Sequence, residues 1–417
     1  MRVLIVTSTL PRWAGDAVPA FVLEQAAALA RVDPELEIEL LAPHHVGAAT
    51  TEVLAGVPVR RFRYAWPESL QLLAYPAILP NLRERPWLAW QVPLLIVAEF
   101  VAVLRYCRRD RRPDVIYSHW FAPQGLACGA AARVLGIPHV LTSHSADVEV
   151  VGRVPLVGPL LVRYFVGQLH ALTVVSRRTE ERLRAFFPAK LWPAVAARVR
   201  RLPMGIDAAA LAPLPSARRA ALKSEWGLAD RPVLLFIGRL TTKKGLTHLL
   251  EAMALLAPRH PAAVLVVAGD GELRADLERR VAAPALASRV RLTGFVGGER
   301  KRELLALADL MVVPSIVTAD GDAEGLPVAL LEGLAAGLPC VATDASGADD
   351  VVTEGVEGHL VPAGDAVRLA AALDSILALD ESARAAMGDR ARQRGLAFDW
   401  DAIARAHAEH LFQGNIR

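Results

Sequence analysis

Blocks of consecutive apolar residues punctuate the chain, and longer stretches with helical spacing separate them. Arg2–Thr7 (RVLIVT) opens the series, Ala20–Ala30 repeats its apolar positions every three to four residues, and Ile38–Ala42 is the next block. Asp114–Ser118 (DVIYS), His139–Thr142 (HVLT) and Ala171–Val175 (ALTVV) follow, with Ala/Leu/Arg-rich segments between them. Short continuous apolar runs read as strands buried on both faces, and the intervening period of 3.6 reads as helix. Strands alternating with helices predict βαβ units and a parallel, doubly wound sheet. The rhythm stops across the proline-bearing stretch Leu202–Pro215. It restarts at Pro232–Ile237 (PVLLFI) and runs on through Ala263–Ala268, Val290–Thr293, Leu310–Pro314 and Pro339–Thr343. Two α/β, Rossmann-like, doubly wound domains are therefore expected, facing a central cleft. Ligands of such sheets sit beyond the C-terminal strand ends. The expected bounds are 1–205 for the first domain, 206–230 for a linker and 231–395 for the second domain. A last helical segment spans 396–417.

The totals agree with two domains. The chain has 417 residues, 53% hydrophobic and 22% charged, enough apolar material for two cores and too much for a disordered chain. Cys107, Cys128 and Cys340 form neither a disulfide framework nor a metal-ligand spacing, so a reducing, cytoplasmic compartment is expected. The opening MRVLIVTSTLP reads as a strand rather than a signal peptide. The net charge of +3 is unevenly spread. Residues 1–212 carry 24 Lys+Arg against 17 Asp+Glu, and the remainder 23 against 27. The basic first half is expected to meet something anionic.

Residues 86–104 (PWLAWQVPLLIVAEFVAVL) sharpen that expectation. A membrane-spanning helix fits by length. Pro93 interrupts the run, however, and Glu99 at its centre would cost roughly 2.5–3.5 kcal/mol on an insertion scale. A buried helix of the first domain and an interfacial helix are the other readings. Trp66, Trp87, Trp90, Arg83 and Arg85 lie nearby, and Arg105, Arg108, Arg109, Arg111 and Arg112 follow. Aromatics and arginines beside an apolar helix suit peripheral contact with an anionic membrane surface. No nucleic-acid recognition motif accompanies these arginines, so no nucleic-acid partner is expected.

The chemistry concentrates in the second half. In EGLPVALLEGLAAGLP, Glu324 and Glu332 stand eight positions apart. Pro327 suits the first turn of a helix, where its missing N–H costs nothing. The free N–H groups around Leu326 and Val328 would then offer an anion site fit for a diphosphate. Glu332, inside that helix, can accept hydrogen bonds from a vicinal diol such as a ribose. Glu324, before it, can bind hydroxyls of a second sugar. Taken singly, Glu324 also reads as a helix N-terminal acid favoured by the dipole, and Glu332 as a solvated surface residue. Asp320 and Asp322 lie in the same loop.

Other segments point the same way. IGRLTTKKG follows the first strand of the second half, and Arg239 and Lys244 there can clamp phosphate oxygens. AGDGELR (Ala268–Arg274) is a glycine-rich strand-to-helix turn that carries Arg274 where a dinucleotide fingerprint has its third glycine. TGFV (Thr293–Val296) ends another strand, where exposed backbone could pair with a base edge. In the first half, SHWFAPQG holds His119 and LTSHSADV holds His144 and Asp147, each after a strand. A histidine there can bond a sugar hydroxyl or a phosphate, and Asp147 can orient it or hold an acceptor.

In this order the pieces resemble the retaining glycosyltransferase family 4, of GT-B fold, over nearly the whole chain. Glu324 to Glu332 matches its E-x7-E signature. GRLTTKKG, VVAGDGELR and TGFV stand in the family's order. LPMGID (Leu202–Asp207) resembles its interdomain hinge, and FDWDAIARAHAEHLF (Phe398–Phe412) its C-terminal helix, which crosses back onto the first domain. The resemblance implies transfer of a sugar from a UDP- or GDP-linked donor to a glycan or lipid-linked acceptor, without metal or other cofactor. By resemblance, Arg239 and Lys244 bind the donor diphosphate, Glu332 the ribose and Glu324 the donor sugar. Gly325, Leu326, Pro327 and Val328 shape the backbone around sugar and phosphate. Gly238, Gly269, Phe295 and Val296 complete the donor side. His144 contacts the donor sugar from the other domain. Gly15, Asp16, His119 and Asp147 fall on the acceptor side. Two departures stand out. The first loop, WAGDAVP, has Gly15 then Asp16 where many relatives have paired glycines, and Met204 replaces a commoner asparagine.

Two alternatives remain open from sequence: a sugar-nucleotide epimerase on the same fold, and a binding scaffold without turnover. A dehydrogenase fits poorly, because neither half has a full G-x-G-x-x-G loop.

Overall fold

The computed structural model describes residues 1–16, 18, 20–108, 112–144, 147–152, 154, 157–319 and 321–413. Arg109, Arg111 and Asp320 lie outside the described residues. The chain divides into two compact units. One is Met1–Gly205 with the chain from Trp400 onward, the other Ile206–Asp399.

The first unit is an eight-stranded sheet. In chain order its strands are β1 (Arg2–Val6), β2 (Glu37–Pro43), β3 (Thr51–Leu54), β4 (Val57–Phe62), β5 (Val115–His119), β6 (His139–Ser143), β7 (Ala171–Val174) and β8 (Val199–Arg201). They lie side by side as β3-β4-β2-β1-β5-β6-β7-β8. All pairs are parallel except the β3–β4 hairpin. β5, β6 and β7 are buried at every position, as strands covered by helices on both faces must be. The order reverses between β1 and β5.

Most of residues 86–104 fall in one covering helix, Gln91–Arg108. Pro86–Arg108 is long and apolar enough to cross a membrane. Yet Gln91, Leu95, Glu99, Val103 and Cys107, spaced by four, are buried against the unit, where the helix packs on Leu126–Leu135. The other side exposes Trp87, Trp90, Leu94 and Val97. The segment is thus a surface helix with one buried stripe and one bare apolar stripe. Glu99 is completely buried; it accepts hydrogen bonds from Gln124 Nε2 (3.3 Å) and the Cys128 thiol (3.8 Å). Burial pushes its carboxyl up to about 8.

The second unit has six parallel strands: β9 (Val233–Ile237), β10 (Val264–Ala268), β11 (Val290–Gly294), β12 (Leu310–Val313), β13 (Cys340–Thr343) and β14 (Gly358–Val361). Their order is β11-β10-β9-β12-β13-β14. Counted from its own first strand this is 3-2-1-4-5-6, the dinucleotide-binding arrangement, with its switch point between β9 and β12.

The expectation of a linker over 206–230 is corrected. That segment belongs to the second unit, and its helix Ser216–Glu225 is pinned there. Arg219 Nη2 and Lys223 Nζ each lie 2.7 Å from the Asp309 carboxylate, which also accepts the Val233 N–H at 2.7 Å. Leu222 is buried beneath. At the other end, residues 396–399 stay with the second unit. The helix Trp400–Ala408 belongs to the first, where it packs on Phe21–Val32 and Arg31 pairs with Asp401.

Candidate functional site

Three chain segments meet at the β9/β12 switch point of the second unit. Gly238 and Arg239 follow β9, a single turn at Thr242–Lys244 leads into the helix Leu246–Leu256, and Glu324–Val328 follow β12. Their closeness depends on glycine. Gly245 has φ +66°, and a Cβ there would sit 1.9 Å from the Pro314 carbonyl oxygen, so no side chain fits where the two strand exits touch. Gly269 does the same between β10 and β9, its virtual Cβ 1.8 Å from the Gly238 carbonyl oxygen.

Glu324 sits in a basic grip. Its Oε2 is 2.8 Å from Lys244 Nζ and its Oε1 3.5 Å from Lys243 Nζ, which also reaches Asp322 at 3.2 Å. Burial raises the Glu324 carboxyl, but the two ammonium groups outweigh it and hold the group below its ordinary range. Glu332 Oε1 accepts a hydrogen bond from Lys301 Nζ at 2.6 Å. Both glutamates are mostly buried, with 13% of each side chain exposed.

Pro327 is the N-cap of the helix Val328–Ala335, one position earlier than expected, because its ψ of 121° is still extended. The N–H groups of Leu326 and Val328 have no hydrogen-bond partner among the described residues. Gly325 is buried. Arg239 is exposed and its guanidinium makes no ion pair among the described residues, so this cation is free for an anion. Phe295, 62% exposed, and Val296 follow β11. The unit therefore gathers, around one switch point, Arg239 and two N–H groups without partners among the described residues, together with Lys244, Glu324 and Glu332.

In the first unit His144 follows β6. It is half-buried against Trp120 and Phe21, with ring centroids 4.8 and 5.3 Å away. Its Nε2 is 2.9 Å from His119 Nδ1. Burial pushes His144 down to about 3, so its ring is neutral at neutral pH.

Three acceptor-side expectations are corrected. His119 is fully buried and touches His144 instead of facing outward. Asp147 is 8% exposed and its carboxylate is committed, accepting the Phe121 N–H and the Ser143 hydroxyl at 2.7 Å each. It ties the exits of β5 and β6 together. Asp16 is held by Arg12 (backbone N–H 2.9 Å, Nε 3.0 Å) and the Tyr75 hydroxyl (2.8 Å). These bonds keep its carboxyl well below the usual range against the effect of burial. Gly15, beside it, is exposed with φ +83°. Sequence reasoning passed over Lys243 and Lys301. Lys243 was legible as the neighbour of Lys244 in TTKKG. Lys301 sits in GERKREL, which reads as an ordinary solvated helix face.

Two α/β units, each built on a mostly parallel sheet, are the anatomy of a GT-B glycosyltransferase. Residues 18–210 match the family described as Glycosyltransferase Family 4, and residues 219–394 match glycosyl transferases group 1. The chain is 32% identical over 281 residues to the GDP-mannose-dependent alpha-(1-6)-phosphatidylinositol monomannoside mannosyltransferase of Mycolicibacterium smegmatis, covering 66% of this chain and 71% of that one. It is 31% identical over 255 residues to the alpha-D-kanosaminyltransferase of Streptomyces kanamyceticus, covering 59% of this chain and 63% of that protein. For the fold, HepE of Anabaena, solved with UDP, superposes with a TM-score of 0.72 at 19% identity, covering 99% and 100% of the two chains. The sucrose-phosphate synthase of Thermosynechococcus elongatus superposes at 0.74 and 21%, covering 99% of each. The chain belongs to glycosyltransferase family 4 and is a glycosyltransferase.

Proposed function

We propose that the protein moves a sugar, with retention of anomeric configuration, from a UDP- or GDP-linked donor to a glycan or lipid-linked acceptor in polysaccharide or glycolipid synthesis. The observation that carries this is the β9/β12 switch point, where Arg239 and Lys244 follow β9, Glu324 meets Lys244 at 2.8 Å after β12, and the helix that starts at Val328 carries Glu332. Arg239, Lys244 and the helix start take the diphosphate, so that its growing charge is stabilised as it leaves. Glu332 binds the ribose diol and Glu324 the sugar hydroxyls. His144 contacts the donor sugar.

In the reaction the bond from the anomeric carbon to the diphosphate oxygen breaks. An acceptor hydroxyl oxygen bonds to that carbon on the same face, and its proton passes to a diphosphate oxygen. Enzyme groups act by holding charge and position, with no protein nucleophile and no cofactor. Two names printed for similar proteins support this reading: the mannosyltransferase of Mycolicibacterium smegmatis is named for both GDP-mannose and phosphatidylinositol monomannoside, and HepE was solved with UDP.

The bare stripe Trp87, Trp90, Leu94 and Val97, which ends at the exposed Arg105 and Arg108, supports the reading that the acceptor side meets a membrane. Indole rings and arginines beside an apolar face suit the headgroup level of an anionic leaflet. The protein then works in the cytoplasm, peripheral on the inner membrane face.

The test is to incubate the protein with UDP-glucose, UDP-N-acetylglucosamine or GDP-mannose, with and without a membrane lipid extract. Release of nucleoside diphosphate that needs the extract, with an α-linked product by proton NMR, supports the reading. A new sugar nucleotide formed from donor alone would make it an epimerase.

A further inference from the structure

His119 and His144 form a closed hydrogen-bonded pair whose proton positions the surroundings constrain. The rings lie 25° from parallel, and one hydrogen joins His119 Nδ1 to His144 Nε2. Burial holds both rings neutral, so each carries one N–H. Two arrangements are possible. If His144 Nε2 donates, His119 must carry its own hydrogen on Nε2. That atom is fully buried and has no hydrogen-bond partner among the described residues, and an orphaned buried N–H is rare in folded proteins. If His119 Nδ1 donates, His119 Nε2 is a bare nitrogen and no donor is stranded.

The neighbouring histidine does not rescue the first arrangement. His407, on the helix Trp400–Ala408, lies near the pair and is also fully buried. Its Nδ1 lies 2.9 Å from the Ile403 carbonyl oxygen. A carbonyl can only accept, so the hydrogen of His407 is on Nδ1 and its Nε2 is bare. That Nε2 has no partner among the described residues and makes no hydrogen bond to His119. Around the pair stand Tyr117, Trp120 and Phe21, which bring no charge. The Tyr117 hydroxyl is spent on Thr142 (2.6 Å).

We propose that His119 is a positioning residue that fixes His144 in the Nδ1–H form, so that His144 meets the donor as a hydrogen-bond donor and not as a base. His144 Nδ1 has no partner among the described residues, and the residue is half-buried, so this hydrogen is available to a ligand. The proposal rests on the reading of His144 as a donor-sugar contact. It explains why a histidine lies where no acceptor can reach it. One oriented N–H bond is about a tenfold effect on rate when lost.

The test is long-range ¹H–¹⁵N NMR of histidine-labelled, ligand-free full chain, with His119→Phe and His119→Asn beside it. The Asn amide places an N–H near the position of Nδ1, while Phe keeps the ring and removes the bond. The expected result is the Nδ1–H form of His144 in wild type and Asn variant, and a mixture in the Phe variant. Turnover of the Phe variant should fall about tenfold with unchanged nucleoside diphosphate affinity, and the Asn variant should recover it. An Nε2–H form of His144 in wild type, or a Phe variant with unaltered spectrum and rate, overturns the proposal. If the tautomer is as stated but His144→Ala turns over normally, the donor-contact reading fails and the proton assignment alone survives.

Discussion

Replacing Lys243 by Met is the sharpest probe of how Glu324 is kept charged. Two ammonium groups hold that carboxylate, Lys244 at 2.8 Å and Lys243 at 3.5 Å. At an effective dielectric of 20, Coulomb's law gives about 6 and about 5 kcal/mol for the two. The second figure is an upper bound. The Lys243 side chain is 28% exposed and is shared with Asp322 at 3.2 Å. Screening and sharing reduce its effect on Glu324 to about 1–2 kcal/mol, roughly one pKa unit. Glu324 now sits below its ordinary range, so losing a cation moves it up toward neutrality. The acid limb of kcat/KM against pH should therefore rise by about one unit in Lys243→Met. The rate at pH 8, where Glu324 is ionised in both proteins, should change less than about threefold, since Lys243 is not assigned to the diphosphate. Glu324→Gln identifies the limb, because a variant with no titrating group there has none. An acid limb that stays in place in Lys243→Met refutes the reasoning.

Asp309→Asn leaves Lys223 and Arg219 without their counter-charge and should cost about 3 kcal/mol in urea unfolding of the second unit; an effect under about 0.5 kcal/mol contradicts the pinning of Ser216–Glu225. The Asp309 carboxyl is raised by burial but held lower by Lys223 and Arg219. Its contribution is present above the unfolded carboxylate range and lost as pH falls below about 4, a slope absent in the variant. Glu99, raised to about 8, has the opposite sign: wild-type stability should fall as pH rises from about 4.5 through about 8. Glu99→Gln should remove that slope, and an equal slope in both proteins would contradict the burial of an uncharged acid. Changing Trp87, Trp90, Leu94 and Val97 together to Ser should abolish flotation with anionic vesicles at unchanged stability; undiminished flotation removes the membrane reading.

Much of this was legible in the sequence because parallel strands buried on both faces announce themselves as unbroken apolar runs. β5, β6, β9 and β10 lie within a residue or two of the runs that predicted them. The strands that escaped have mixed composition. The β3–β4 hairpin carries Pro58, Arg60 and Arg61, and β8 reads VRR at a sheet edge where one side needs no apolar cover. The linker over 206–230 was misjudged for a related reason: its anchor to the sheet is ionic, Arg219 and Lys223 onto Asp309 some ninety residues away, and no local pattern encodes such a pairing. In the site, Glu324 and Glu332 were legible from spacing within one loop and one helix, and Lys244 from its place after β9. Which acid meets which lysine was not, because it depends on strand order. The acceptor-side histidine and aspartates were misread because a polar residue after a strand looks the same whether it faces solvent or closes the loop from beneath. His119, Asp147 and Asp16 do the second.

The central claim is a nucleoside diphosphate site at the β9/β12 switch point with Glu332 on the ribose. Calorimetric titration of UDP, GDP, ADP and NAD into wild type and Glu332→Ala tests it directly. One-to-one binding of UDP or GDP, at least about tenfold weaker in the variant, is the predicted result. Equal affinity in the two proteins, or no binding of any diphosphate by a folded wild type, contradicts it.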